Sequence, residues 1–193
     1  MKLPPAIRRA PTTIRSAFRD MRHGRPLGGT VRTRFAHLGA FHTTNSPYAD
    51  LDRLFATLEI GPADVIVDVG CGKGRALNWF IEHYPRNRIK GIELDPDICR
   101  KTAYRLRRRP NVTILCGDAP TLLPADGTVF YLFNPFDGDV MNRFATALLE
   151  LPAATVVYYR PLYLEPFEAS PRFAVTELDD PALGERAVLI RLS

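Results

Sequence analysis

Val65-Ile66-Val67-Asp68-Val69-Gly70-Cys71-Gly72-Lys73-Gly74-Arg75 is the stretch on which the fold turns. The β-branched run Val65-Ile66-Val67 predicts a short buried strand. Three glycines at alternate positions, 70, 72 and 74, then allow positive φ and let backbone pass close to a ligand. From Arg75 to Tyr84 the residues Leu77, Phe80, Ile81 and Tyr84 share one face, which predicts a helix starting at the turn. The spacing is G-x-G-x-G, whereas dinucleotide sites favour G-x-G-x-x-G, and no G-K-[ST] follows to make a Walker phosphate loop.

Downstream the pattern repeats. Pro85 stops the helix, and Arg88 to Leu94 predicts a second strand. Asp95 has the character of an N-cap and Pro96 that of a first helical residue, with the helix running to about Arg108. Strands follow at Val112–Cys116, Val129–Phe133 and Thr155–Tyr159, with a helix at Val140–Leu151. Strands alternating with helices imply a parallel sheet covered on both faces. Phe173–Leu178 and Ala187–Leu192 have no room for a crossover helix between them and predict an antiparallel hairpin. Thr121 to Thr128 leaves almost no space for an inserted substrate domain.

Upstream, Pro47 opens a helix carrying Leu51, Leu54, Phe55 and Leu58, ended by Gly61-Pro62. Residues 1–46 lack sustained periodicity and are broken by Pro4, Pro5, Pro11, Pro26 and Gly28-Gly29. One short amphipathic helix fits within Thr13–Arg22, with Ile14, Phe18 and Met21 on one side. The expected organisation is a partly ordered basic arm, 1–46, followed by one ligand-binding domain, 47–193. Charge supports the division. Residues 1–50 carry nine basic residues against Asp20 and Asp50, a balance of +7, while the remainder sums to −2. Such an arm suits substrate, an anionic membrane surface or nucleic acid.

Composition excludes several classes. Hydrophobic residues at 46% and charged residues at 24% are ordinary globular usage, so a disordered chain is excluded. No apolar run reaches the roughly 18 residues of a membrane helix, and no apolar stretch follows the basic N-terminus as in a secretory signal. Cys71, Cys99 and Cys116 have neither disulfide-framework nor zinc spacing, which predicts a reducing, cytoplasmic setting.

Open parallel sheets bind ligands beyond the carboxyl ends of their strands. Four such ends carry suggestive residues. The glycine turn is the first. Glu93, 25 residues after Asp68, is the second, where an acid can accept hydrogen bonds from both ribose hydroxyls. Gly117-Asp118-Ala119 is the third, where a carboxylate can accept from an adenine amine. Tyr131-Leu132-Phe133-Asn134-Pro135-Phe136-Asp137 is the fourth, offering an amide, a stiffened turn and an apolar wall.

This set resembles the class I S-adenosylmethionine-dependent methyltransferase superfamily over roughly residues 48–193. The resemblance implies a Rossmann-like α/β fold, doubly wound, with a seven-stranded, mostly parallel sheet ending in an antiparallel hairpin. It implies S-adenosyl-L-methionine as cofactor, held by Asp68, Val69, Gly70, Cys71, Gly72 and Gly74 at the methionine part, by Glu93 and Leu94 at ribose, and by Asp118 and Ala119 at adenine. Asn134, Pro135 and Phe136 would face the methyl group, with Asn134 and the Pro135 carbonyl orienting the acceptor and Asn134 also touching the cofactor. The phrases Val-Gly-Cys-Gly-Lys-Gly-Arg and Tyr-Leu-Phe-Asn-Pro-Phe are similar to those of compact bacterial methyltransferases, and Asn134-Pro135-Phe136 resembles the [DN]-P-P-[YF] motif of nitrogen methylators without its second proline. Because the segment before the first helix often folds over the cofactor in this superfamily, Tyr48 is expected near the methionine end.

The acceptor that the resemblance implies is a nitrogen or oxygen nucleophile, with a small molecule or protein amine favoured and nucleic acid open. Transfer is an in-line displacement that rests on positioning, and a base is needed only for a protonated nucleophile. No histidine stands out: His37 and His42 lie in the arm, His23 in a loop and His83 on a helix. Arg105, Arg107, Arg108 and Arg109 read as a solvated helix end. Two alternatives differ in class. An aminopropyl-type transferase on the same fold would want acids around a polyamine, and a non-enzymatic basic module would bind nucleic acid or membrane through the arm with steep salt dependence.

Overall fold

The computed structural model describes residues 11–193. Lys2, Arg8 and Arg9 of the basic arm, with Pro4 and Pro5, lie outside the described residues. The sheet is built from β1 (Val65–Val69), β2 (Arg88–Glu93), β3 (Val112–Cys116), β4 (Val129–Phe133), β5 (Ala154–Tyr159), β6 (Phe173–Glu177) and β7 (Ala187–Leu192). Their spatial order is β3-β2-β1-β4-β5-β7-β6. Strands β1 to β5 are parallel, and β7 runs antiparallel between β5 and β6. The helices are α1 (Thr12–Met21), α2 (Tyr48–Leu54), α3 (Arg75–His83), α4 (Pro96–Leu106), α5 (Gly138–Leu148) and α6 (Glu165–Glu168), with a 3-10 turn at Ala36–Leu38.

The period-two alternation of a strand sends its residues to opposite faces. In β4, Phe130 and Leu132 enter the core beneath α5 and α6, with Met141, Phe144 and Phe167. Val129 and Tyr131 enter the second core beneath α2 and α3, with Leu51, Leu77 and Phe80. Fully burying each such side chain contributes about 2 kcal/mol. Both faces are therefore closed, and the polar strand ends open only at the carboxyl edge, where β1 and β4 diverge in chain order.

Several local expectations change. Helix α5 begins at Gly138 and not Val140, because the Asp137 carboxylate caps it by accepting from the Val140 N–H at 3.1 Å. Asp95 caps α4 as its sequence implies, accepting from Asp97 and Ile98. Cys99 and Cys116 are joined in a disulfide, with Cα atoms 5.7 Å apart. Packing of α4 against β3 brings these positions together, a relation that sequence spacing does not express. The bond removes the cysteine argument for a reducing compartment. Among the described residues no helix is long and apolar enough to cross a membrane.

Residues before α2 are tied to the sheet domain by polar contacts. Asp20 is fully buried; its carboxylate pairs with Arg75 at 2.8 Å and accepts from the Tyr48 hydroxyl at 2.8 Å and the Leu27 N–H at 3.0 Å. Glu82 of α3 accepts from Arg19 at 2.6 Å and meets His23 Nε2 at 3.0 Å.

Candidate functional site

At the carboxyl edge, the glycine turn leaves β1 by two short hydrogen bonds: the N–H groups of Gly70 and Cys71 both donate to the Ile92 carbonyl at 2.9 Å. Gly70 has φ +74° and Gly72 has φ +52°, backbone that side-chain-bearing residues rarely adopt. Space is also lacking. A Cβ on Gly70 would sit 2.5 Å from Pro135 Cβ, and one on Gly72 would fall on the Thr43 methyl. The turn is thus wedged between the β4 loop and the segment preceding α2.

Glu93 braces it. Its carboxylate accepts from the Gly72 N–H at 2.7 Å and from the Asp95 N–H at 2.9 Å. Each oxygen keeps a further lone pair. Burial raises the Glu93 pKa, partly offset by these backbone donors. Asp68 lies deeper. One of its carboxylate oxygens is buried with no hydrogen-bond partner, and its pKa is pushed up to about 8, first by burial and then by the Glu93 charge. Cys71 is a free, buried thiol whose pKa burial also raises.

A single cleft gathers these groups. Asp68, Gly70 and Cys71 form its floor, and Glu93 and Leu94 one side. Asp118 and Ala119 lie next to them, and Asn134, Pro135 and Phe136 face them. Four other expected residues are placed elsewhere. Val69 points into the core, as alternation after Asp68 requires. Gly72 and Gly74 shape the turn without lining the cleft: Gly72 sits under Thr43 and Gly74 under Arg105 and Thr102. Tyr48 is off the wall too; its ring is held between Arg19 (4.1 Å) and Arg75 (5.6 Å), with its hydroxyl on Asp20.

Some groups on the wall are already engaged. Asp118 accepts from Arg143 and, at 3.1 Å, from the Thr121 hydroxyl. Asn134 has φ +41°, and its Oδ1 accepts from the Tyr158 hydroxyl at 3.3 Å. The Pro135 carbonyl accepts from the Phe41 N–H at 3.1 Å, so one of its lone pairs is taken before any acceptor arrives. Phe136 packs on Phe144, ring centroids 5.7 Å apart, and is as much core as wall.

The segment before α2, which the resemblance led one to expect over the cofactor, roofs the cleft, and it does so through residues the sequence reading had not singled out. Residues between Thr33 and Ser46 line the cleft, including Phe35, Phe41, His42 and Thr43. They are fastened by antiparallel bridges Val31–Thr43 and Ala40–Phe136, by the Asp137 N–H on the Gly39 carbonyl at 2.8 Å, and by the Lys73 ammonium on the Gly28 and Gly29 carbonyls. His42 Nδ1 accepts from the Thr33 N–H at 3.3 Å, so the neutral ring offers the cleft an Nε2–H donor and not a lone pair. No periodicity marks this stretch; its glycine pair and Asn45-Ser46 were the available signals.

Arg105 was also missed. It is half-buried, not a solvated helix end, and donates to the carbonyls of His23 (2.9 Å), Lys73 (2.8 Å) and Gly74 (3.3 Å) and to Asn78 Oδ1 (2.7 Å). It clamps the glycine turn from behind.

The donor set fits a cationic, hydroxyl-bearing ligand. Four carboxylates, Asp68, Glu93, Asp95 and Asp118, line the cleft, and Asp68 has an unsatisfied oxygen. A sulfonium amino acid with a ribose diol supplies a positive charge and paired donors to such a set, whereas a dinucleotide pyrophosphate would meet acids.

Residues 66–149 match the methyltransferase domain family. A probable ribosomal RNA small subunit methyltransferase A of Methanosarcina barkeri is 35% identical over 69 residues, 36% of this chain and 23% of that protein. An uncharacterised transposon protein of Streptomyces fradiae is 25% identical over 107 residues, 55% of this chain and 31% of that one. The chain thus spans about a quarter to a third of the length of these curated relatives. Among solved structures, an RNA methyltransferase from Salinibacter ruber in complex with S-adenosyl-L-homocysteine aligns with TM-score 0.59 at 21% identity, covering 77% of this chain and 92% of that one. Mitomycin 7-O-methyltransferase aligns with TM-score 0.61 at 18% identity, covering 76% and 54%. A precorrin-6y C5,15-methyltransferase from Geobacter metallireducens aligns with TM-score 0.58 at 16% identity, covering 78% and 91%. Strand order, glycine turn and strand-end acids agree with these likenesses: residues 66–149 match a methyltransferase domain, and the fold is one shared with solved methyltransferases.

Proposed function

We propose that this protein transfers a methyl group from S-adenosylmethionine to a slender nitrogen or oxygen nucleophile entering beside Asn134. The observation that carries the reading is the unpartnered, buried oxygen of Asp68 at the floor of a cleft that Glu93 and Asp118 also line. When bound, the cofactor supplies an electrophilic methyl on a sulfonium. Asp68, at the methionine end, balances its positive charge. Glu93 accepts from the ribose hydroxyls with the lone pairs its backbone donors leave free, and Asp118 with Ala119 borders the adenine. Asn134 orients the acceptor through its amide N–H groups, its Oδ1 being held by Tyr158. Phe35, Phe41, Phe133 and Phe136 give that end an apolar wall that excludes water.

A small molecule or a protein side chain suits the roofed cleft better than a folded RNA does. An acceptor that arrives with its lone pair free suits the donor tautomer of His42. The reading favours N-methylation less than the Asn-Pro-Phe motif alone does, because Phe41 occupies the Pro135 carbonyl.

The test is titration calorimetry with S-adenosylmethionine and S-adenosylhomocysteine, followed by transfer of radiolabelled methyl to small-molecule, protein and RNA fractions of a cell extract. Glu93→Ala and Gly72→Val should each weaken cofactor binding at least tenfold, the second because its side chain collides with Thr43 in a strained turn. Asn134→Ala should keep cofactor binding and lose transfer. Absence of cofactor binding in the wild-type protein would overturn the reading, as would full transfer by Asn134→Ala.

A further inference from the structure

Helix α1 is mounted inside out. Ile14, Phe18 and Met21 recur at i, i+4 and i+7 and so form one stripe. That stripe faces away from the protein: the three residues are 49%, 36% and 56% exposed. The opposite side carries Asp20, fully buried on Arg75, and Arg19, paired with Glu82; His23, just past the helix, is paired with Glu82 as well. An amphipathic helix on a globular domain ordinarily does the reverse, burying its apolar side. Here the charged side provides the anchorage and the apolar side is left for something else.

The charges beside the stripe are all of one sign. Arg15 and Arg25 are exposed and have no ion-pair partner among the described residues. Arg22 lies 5.6 Å from the Phe18 ring. The only acid in the first 25 residues is Asp20, and it is turned inward. In sequence Lys2, Arg8 and Arg9 precede the helix with no acid among them.

We propose that α1 docks the protein on an anionic lipid surface, with Ile14, Phe18 and Met21 entering the headgroup–acyl boundary and Arg15 and Arg25 meeting lipid phosphates. Other occupants fit the stripe less well. Nucleic acid gains nothing from three exposed apolar side chains. A second copy would need about 800 Å² from each partner, far more than one ten-residue helix face presents. A lipid interface needs only a few inserted side chains and nearby cations. This inference does not depend on the chemistry of the cleft.

The test uses the full chain and flotation with two kinds of vesicle, phosphatidylcholine alone and phosphatidylcholine mixed with phosphatidylglycerol. The protein should float with the mixed vesicles, more at low salt than at high salt, and not with the neutral ones. Ile14→Ser, Phe18→Ser and Met21→Ser together should cut partitioning about a hundredfold or more. Arg15→Gln with Arg25→Gln should cut it about twenty-five-fold, some fivefold for each cation. None of these residues touches the cleft, so thermal midpoint and cofactor affinity should stay at wild-type values in both variants. The proposal is overturned if wild-type protein stays unbound with mixed vesicles, or if the serine variant floats as well as wild type. It is equally overturned by a dimer in light scattering that the serine variant splits, or by RNA capture that rivals vesicle binding and survives the serine changes.

Discussion

Asp68→Asn isolates the chemistry at the floor of the cleft. In the folded protein the Asp68 carboxyl titrates near 8, against an ordinary value of 3.8. Below about pH 4 both folded and unfolded chains hold the proton, and the group makes no difference. Between about pH 4 and pH 8 the unfolded chain has released it and the folded chain has not, so stability falls as pH rises. Each unit costs about 1.4 kcal/mol, which amounts to roughly 4 kcal/mol at pH 7. Asparagine carries no such proton. Urea denaturation of both proteins at pH 5 and pH 7 should therefore show the wild type losing roughly 3 kcal/mol more than the variant across that interval, with contributions shared by the two proteins cancelling. Glu93 faces Asp68 and enters the same balance, but its own upward shift is moderated by two backbone donors.

Cofactor binding reverses the sign. A cationic ligand favours the carboxylate, which at pH 7 is about one-tenth populated in the free protein, so affinity should rise about tenfold between pH 7 and pH 9. Binding at pH 7 should release close to one proton, read from calorimetry in buffers of different ionisation enthalpy. The asparagine variant should bind more weakly at pH 9 and release no proton through this group. A wild-type affinity flat from pH 6 to pH 9, with no proton release, would refute the reasoning.

Two further outcomes follow from side chains behind the cleft. Arg105→Met leaves the Lys73 and His23 carbonyls and Asn78 without their shared donor; we expect a loss of about 2–3 kcal/mol in denaturation and a cofactor affinity at least tenfold weaker, with Arg105→Lys restoring part of each. Cys116→Ser opens a cross-link between residues 17 apart and should lower stability by about 3 kcal/mol, and wild-type protein treated with a reductant should then melt at the temperature of the variant.

The sheet and the three strand-end acids were legible because each rests on a local rule. β-Branched runs set β1, β3 and β5, the Asp95-Pro96 pair set the start of α4, and a strand followed by glycines set the turn. What was not legible depends on distant partners. The stripe Ile14, Phe18 and Met21 was readable, but its outward orientation follows from Asp20 meeting Arg75, 55 residues away. Arg105 resembled its neighbours Arg107 and Arg108 in sequence and differs only in facing the glycine turn. Tyr48 stands just before the domain core, as an expected cofactor contact should, yet Asp20 captures its hydroxyl. The roof has no period because isolated bridges and single backbone hydrogen bonds hold it, and none of these leaves a repeating trace.

The same manner of fastening sets how the cleft exchanges its contents. The chain over it is pinned at one end by the buried Asp20–Arg75 pair and at the other by Ser46, whose hydroxyl lies 2.7 Å from that of Tyr131. Between these pins it meets the β4 loop through only two backbone hydrogen bonds, Phe41 to Pro135 and Asp137 to Gly39. Breaking those two, together with the Lys73 contacts to Gly28 and Gly29 and the Arg34 pairs with Asp95 and Asp97, frees the span while both ends and the whole sheet stay in place. Opening is a local excursion, far cheaper than global unfolding. It lifts the wall from the acceptor side and the cover from the cofactor side in one motion. Entry of one reactant and departure of the other product are then not independent events; the hinge makes them share a clock.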